Sequence, residues 1–220
     1  MNIDHEIWSS FRKGIARDDE WSSPSSNPPL TYVQGSGPCE RLYYMTKPIL
    51  FKRLLPRARF PGGIAAFVRY GLVPSRYSVV VKETAIRLRL DAPVAFVGDL
   101  DPYDLSVFLS LHQGSPSLKR RTRYSPPIAY LGINDEWLDR CVRLSRPEVT
   151  RPEQLPVCIR MTDFERRHVD VLLRAAPQLR TVIGEGASAL LERGYKLELE
   201  GASAPRFFEP GFFALRRKSG

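Results

Sequence analysis

Two aspartates one residue apart, Asp99 and Asp101, stand in the run VAFVGDLDPYD from Val94 to Asp104, directly after a short apolar stretch. A pair so placed at the end of a buried strand can aim both acids at one ion. Hard cations take oxygen ligands, and Mg²⁺ is typically held by one or two carboxylates together with water and substrate phosphate. Open α/β sheets receive ligands at the carboxyl ends of their strands. The pattern therefore points to a Mg²⁺ site that would stabilise charge on a phosphoryl group and orient an attacking group. A structural role fits some of the same residues. Asp101 suits a helix N-cap, Pro102 the first helical position and Asp104 the third, where a carboxylate favours the helix dipole. Capping accounts for Asp101 and Asp104 and leaves Asp99 unexplained.

Other reactive groups are sparser. His112 falls on the helix after the aspartates, either as a proton shuttle or as a helix-end histidine with a satisfied ring. Lys196, Glu198 and Glu200 share one face of a predicted strand and read as a solvated, mutually paired stripe. His5 and His168 have no partner spacing. Neither G-x-S-x-G nor GK[ST] occurs, which removes the serine-hydrolase and P-loop readings. Cys39, Cys141 and Cys158 are widely spaced without C-x-x-C pairing, so they suggest reduced thiols, not a disulfide framework or a zinc site.

The elements that must position the aspartates are those of an α/β chain. Helical spacing at Ile3, Ile7, Trp8, Phe11 and Ile15 predicts an N-terminal arm, and SSPSSNPP from Ser22 to Pro29 a linker. Residues 1–29 are thus an appendage and 30–220 the domain. A strand is predicted at Leu30–Gln34, a turn at Gly35–Gly37, and a helix from about Glu40 to Leu55, interrupted near Pro48. Val79–Lys82 and Val94–Val97 read as strands of a parallel sheet, with Glu83 to Leu90 between them as helix or strand. The strand Pro93–Val97, the turn to Asp101 and a helix bearing Leu105, Phe108, Leu109 and His112 make half of a βαβ unit. Pro126–Leu131 reads as the next strand. Thr162 to Glu165 is a capping box opening a helix to Ala176; a shorter helix spans Ser188–Arg193, and Tyr195–Glu200 alternates as a half-buried strand.

Length, charge and composition bound the partners. The 220 residues suit one domain with a short appendage, and no apolar run approaches the roughly 18–20 residues needed to cross a bilayer. The N-terminus has carboxylates where a signal peptide needs a basic start, so the expectation is a cytoplasmic protein without a membrane span. The net charge of +9 is uneven. From Arg41 to Lys82 there are nine basic residues, among them Lys52, Arg53, Arg57 and Arg59, and no acid. A second knot follows at Lys119, Arg120, Arg121 and Arg123. Such a field attracts polyanions, with affinity from counterion release at phosphates, and interleaved aromatics offer stacking groups. DNA contact is the functional reading; a solvated surface is the bland one.

The residues also carry a resemblance. GDLDPY from Gly98 to Tyr103 resembles the D-x-D-P-Y-G segment of the Toprim domain in the A subunit of type VI (type IIB) DNA topoisomerases and in related meiotic double-strand-break proteins. The order continues with LHQGS from Leu111 to Ser115, PIAYLGI from Pro127 to Ile133, MTDFER from Met161, and LLERGYKLELE from Leu190 to Glu200. Residues 93–213 are covered. The chain is similar, more loosely, to the Toprim-bearing nuclease subunit of bacterial Wadjet plasmid-defence systems.

The resemblance implies a Toprim-like, mainly parallel sheet flanked by helices and a Mg²⁺ site that assists breakage of a DNA phosphodiester. It also implies that a glutamate from the domain's first strand joins Asp99 and Asp101. Gln34 occupies that position as a neutral amide, which leaves Glu83, after a predicted strand, or Glu40. A tyrosine nucleophile is implied too, and RLYY from Arg41 to Tyr44 matches the family's R-x-x-Y-Y only with a residue missing, with Tyr44 as the candidate. A partner subunit would then supply a winged-helix or ATPase domain, or the chain would form a homodimer. Two rival readings stand: a non-catalytic DNA-binding or assembly subunit with a degenerate Toprim site, and a D-x-D glycosyltransferase.

Overall fold

The computed structural model of the chain describes residues 30–47, 63–69, 75–113 and 127–199. Five strands form the main sheet: β1 (Thr31–Gln34), β2 (Arg41–Met45), β3 (Ile64–Val68), β4 (Val94–Val97) and β5 (Ile128–Tyr130). Their order is β1-β3-β2-β4-β5. β3, β2, β4 and β5 run parallel, and β1 lies antiparallel along β3. The class is α/β with a mainly parallel sheet.

All four residues of β4 are buried, the mark of a strand covered on both faces. Tyr44 of β2 stands in register with Phe67 of β3 and Phe96 of β4. Phe96 in turn meets Phe108 at 5.6 Å and Tyr130 at 5.8 Å between ring centroids, which builds an aromatic spine across the middle of the sheet. Helix α1 (Ser75–Arg87) leads into β4, and α2 (Pro102–Gln113) joins β4 to β5 as the crossover of a βαβ unit.

The C-terminal half adds α3 (Asp135–Arg143), a 3₁₀ turn at Pro152–Gln154, β6 (Cys158–Arg160), α4 (Asp163–Ala175), α5 (Leu179–Ile183), α6 (Glu185–Glu192) and β7 (Tyr195–Leu197). β6 and β7 pair as a separate antiparallel ribbon. Reciprocal 3.1 Å hydrogen bonds between Leu100 and Leu197 stitch that ribbon to the Asp99–Asp101 turn. The capping box at the start of α4 is present: Thr162 Oγ1 accepts from the Glu165 N–H, and Glu165 Oε2 accepts from the Thr162 N–H. No helix among the described residues is long and apolar enough to cross a membrane.

Two predicted elements change type. Val79–Lys82 belongs to helix α1, because Ser78, Val81, Lys82 and Ala85 are buried at helical spacing, which outweighs the strand preference of three consecutive valines. The helix expected from Glu40 is strand β2 over Arg41–Met45. Its aromatic run favours a pleated, buried surface, and Pro48 biases Lys47 toward extended backbone. Strands β3 and β6 and helices α3 and α5 are elements the sequence reading lacked. The N-terminal arm, the linker and the rest of the predicted 40–55 helix lie outside the described residues.

Candidate functional site

The site grows from the turn that joins β4 to α2. Gly98 is required there by close approach: a Cβ would fall 2.7 Å from Asp104 Oδ2 and 2.8 Å from the Phe96 ring. Gly132 lets the next strand-end turn come equally close, since its Cβ would sit 2.5 Å from the Gly98 carbonyl oxygen. Asp104 Oδ2, so admitted, accepts the Asp99 N–H and the Thr46 hydroxyl, each at 2.6 Å. Asp101 Oδ1 accepts the Asp104 N–H at 2.7 Å, which is the N-cap bond of α2. Tyr130 Oη lies 3.2 Å from the Asp99 carbonyl oxygen and braces the turn from β5.

Asp99 itself is fully buried. Its Oδ1 accepts the Leu199 N–H at 2.8 Å, and its Oδ2 faces the Lys47 ammonium at 2.8 Å. Asp101 and Asp104 are buried as well, so the strand-end aspartates, expected to hold an ion against a substrate phosphate, lie in an acid-rich interior. Burial is the main force on all three carboxyls and raises each above the usual carboxylate range. The Asp101 charge adds to the rise of Asp99, while Lys47 and the Leu199 N–H pull it back. For Asp104, the charges of Asp101 and Asp99 add to burial, and Thr46 and the Asp99 N–H oppose it.

A second lysine–carboxylate pair flanks the turn. Lys196 of β7 donates to Glu165 Oε1 at 2.8 Å and lies 3.8 Å from Glu198. Burial pushes Glu165 up, but the Lys196 and Thr162 hydrogen bonds outweigh it, and the carboxyl ends below its ordinary range. Lys196 also acts on Asp101, favouring its charged form. The stripe expected to be solvated is thus a half-buried wall of the site, with Glu200 outside the described residues.

Mg²⁺ does not fit these residues. Asp99 Oδ1 is taken by a backbone N–H and Oδ2 by an ammonium, Asp101 Oδ1 caps a helix, and Asp104 Oδ2 holds two donors. Among the described residues, no three His, Cys, Asp or Glu side chains converge as a ligand set.

Neither candidate glutamate stands beside the aspartates. Glu40 precedes β2, and its side chain lies over Gly63 at the start of β3. By the parallel register of β2 and β4, Glu40 stands level with residue 92, seven residues short of Asp99 or about 23 Å along the strand. Gln34 is paired with Ala65, also toward the amino edge. Glu83 follows Lys82, whose Nζ donates to the His112 carbonyl in the last turn of α2, roughly 16 Å along the helix from Asp101. Glu83 lies inside a helix and Glu40 before a strand, so neither occupies a strand's carboxyl end. Tyr44 is fully buried in the aromatic spine, which removes it as a nucleophile. His112 Nδ1 lies 3.3 Å from the Ile128 carbonyl, a satisfied helix-end histidine.

Sequence reading missed Thr46, Lys47 and Glu165 as neighbours of the aspartates. The signal for the first two was there: a polar pair between the apolar run Leu42–Met45 and a proline is the profile of a strand end. It also gave no role to His168, which stands 3.1 Å from Ser106 Oγ in the buried seam between α2 and α4. Ser106 donates its only hydroxyl proton to the Pro102 carbonyl at 2.6 Å, so His168 Nε2 must donate to Ser106, the reverse of what an activated serine needs.

Charge divides sharply along the chain. Of 33 basic and 24 acidic residues, 18 and 17 fall within the described residues, which are therefore nearly neutral. Segments 48–62 and 114–126, both outside the described residues, hold eight basic residues and no acid. These eight are Lys52, Arg53, Arg57, Arg59, Lys119, Arg120, Arg121 and Arg123, the predicted DNA-contacting set. No family model matches the chain, and no curated protein sequence is significantly similar to it.

Proposed function

We propose that this chain is a DNA-binding subunit that does not itself cut, built on a Toprim-like domain and working in the cytoplasm within a multi-subunit DNA-processing complex. The observation that carries the reading is the clustering of charge in the sequence: 13 of the 33 basic residues fall in two acid-free stretches, nine between Arg41 and Lys82 and four between Leu105 and Asn134. A charge spread only for solubility has no reason to concentrate so. Counterion release then supplies affinity without sequence readout.

The non-cutting part of the reading is supported by the carboxylates. In the Toprim-like interpretation a glutamate joins the D-x-D, yet β2, the strand beside β4, is followed by Thr46 and Lys47, and Lys47 neutralises the acid an ion would need. Strand breakage would fall to a partner subunit bearing a winged-helix or ATPase domain.

Fluorescence anisotropy with labelled duplex DNA across a salt series tests binding. The expected result is a steep loss of affinity with salt, and changing the four basic residues of segment 48–62, or the four of segment 114–126, to Gln should reduce the log–log slope by up to about 4. Weak binding that ignores salt would sink the reading. Plasmid nicking with Mg²⁺ tests the other half: none is expected, and nicking that Asp99→Asn abolishes would restore the catalytic alternative.

A further inference from the structure

We propose that Lys47 is the resident cation of the strand-end carboxylates, a positive charge built into the chain where such a cluster would otherwise recruit a divalent ion, so that the domain folds without metal.

The placement of Lys47 follows from the sheet. β2 and β4 are parallel neighbours with Met45 opposite Val97, and the Thr46 N–H continues the ladder to the Val97 carbonyl at 3.2 Å. Two residues beyond the Met45–Val97 pair, Lys47 comes level with Asp99 and emerges on the same side, because side chains alternate along strands. Lys47 thus lies just past the end of β2, where a proline next in sequence disfavours helical backbone, and its ammonium reaches the aspartate from that strand end.

The acid side is equally committed. Asp99 is fully buried, and among the described residues no hydrogen-bond donor other than the Lys47 ammonium faces its Oδ2. That oxygen is oriented for a cation. The Lys47 charge is felt at Asp101 as well, behind that of Lys196, whereas at Asp99 Lys47 is the cation that acts. A mobile ion entering here would have to evict a side chain that is itself only 13% exposed. The inference rests on Lys47 and the aspartates alone, so it stands or falls apart from the DNA-binding half of the proposed function; it shares Lys47 with the non-cutting half, which plasmid nicking tests separately.

Thermal unfolding of the full chain tests it, in excess EDTA and in millimolar MnCl₂ at matched ionic strength. The native chain should show the same Tm in both. Lys47→Met should lose about 10 °C in EDTA and regain at least half of that loss with Mn²⁺. Adding Asp99→Asn to Lys47→Met should erase the Mn²⁺ response. Should Lys47→Met fail to fold in either buffer, Lys47→Arg decides: it keeps the charge and should fold and ignore Mn²⁺. Stabilisation of the native chain or of Lys47→Arg by Mn²⁺ that depends on Asp99 overturns the proposal. So does a folded Lys47→Met chain indifferent to the metal.

Discussion

Two lysine–carboxylate pairs flank the turn between β4 and α2, and they sit in opposite electrostatic states. Lys47–Asp99 and Lys196–Glu165 have the same 2.8 Å separation and nearly the same lysine exposure. Yet Asp99 is shifted up and Glu165 down. The difference lies in the other neighbours. Asp99 is fully desolvated beside the Asp101 charge and receives one backbone N–H, while Glu165 closes a capping box and so gains Thr162 donors in addition to its lysine. An ion pair's length therefore says little about its energetics; desolvation and the count of donors decide.

The largest way to break the comparison is Asp99→Asn. It removes the charge that faces the Lys47 ammonium, only 13% exposed, and the expected cost is about 3 kcal/mol by urea unfolding, recovered in part when Lys47→Met is added. Near-zero cost would mean that Lys47 escapes to water and the first pair is no tighter than a surface bridge.

Next in size is a pH response close to the second pair. Burial holds His168, one turn along α4 from Glu165, down to about 4. Between that value and the ordinary histidine pKa of about 6.5, the unfolded chain binds a proton that the native one does not. Stability should thus rise with pH across that window, by up to about 3 kcal/mol, and the slope should disappear in His168→Gln.

Glu165→Gln should cost less, about 1–2 kcal/mol, because an amide can still accept from Thr162 while losing the ion pair. The pH signs sharpen the contrast further. Glu165 stabilises above the ordinary carboxylate range, and its contribution is lost as pH falls through its lowered value. Asp99 holds its proton longer in the native state, so its contribution declines as pH rises through the ordinary range. Stability–pH curves of Glu165→Gln and Asp99→Asn should therefore depart from the native curve in opposite directions.

The smallest effect is a control at the surface. Arg180 reaches Glu192 at 2.6 Å, shorter than either inner pair, with side chains 34% and 44% exposed. Arg180→Ala should leave stability by urea unfolding nearly unchanged.

The β4–α2 unit and the Thr162 capping box were legible in the sequence because their signals are local: an apolar run, a proline at the first helical turn, a hydroxyl three residues before a carboxylate. The N-cap role of Asp101 was legible for the same reason. β2 and α1 were misread because each carries contradictory local signals, aromatics ahead of a proline in one and valines on a helical period in the other. Whether a residue ends a strand depends on where its element stops, so misplacing two elements misplaced Glu40 and Glu83.

The sequence alone determined the α/β class, the helix that Asp101 caps and the two basic stretches that carry no acid. These depend on residues close together in the chain. Only the tertiary structure decided that Asp99 meets a lysine and not a glutamate. That meeting joins positions 52 residues apart through the parallel register of two strands, and no local pattern encodes which strand will lie beside which.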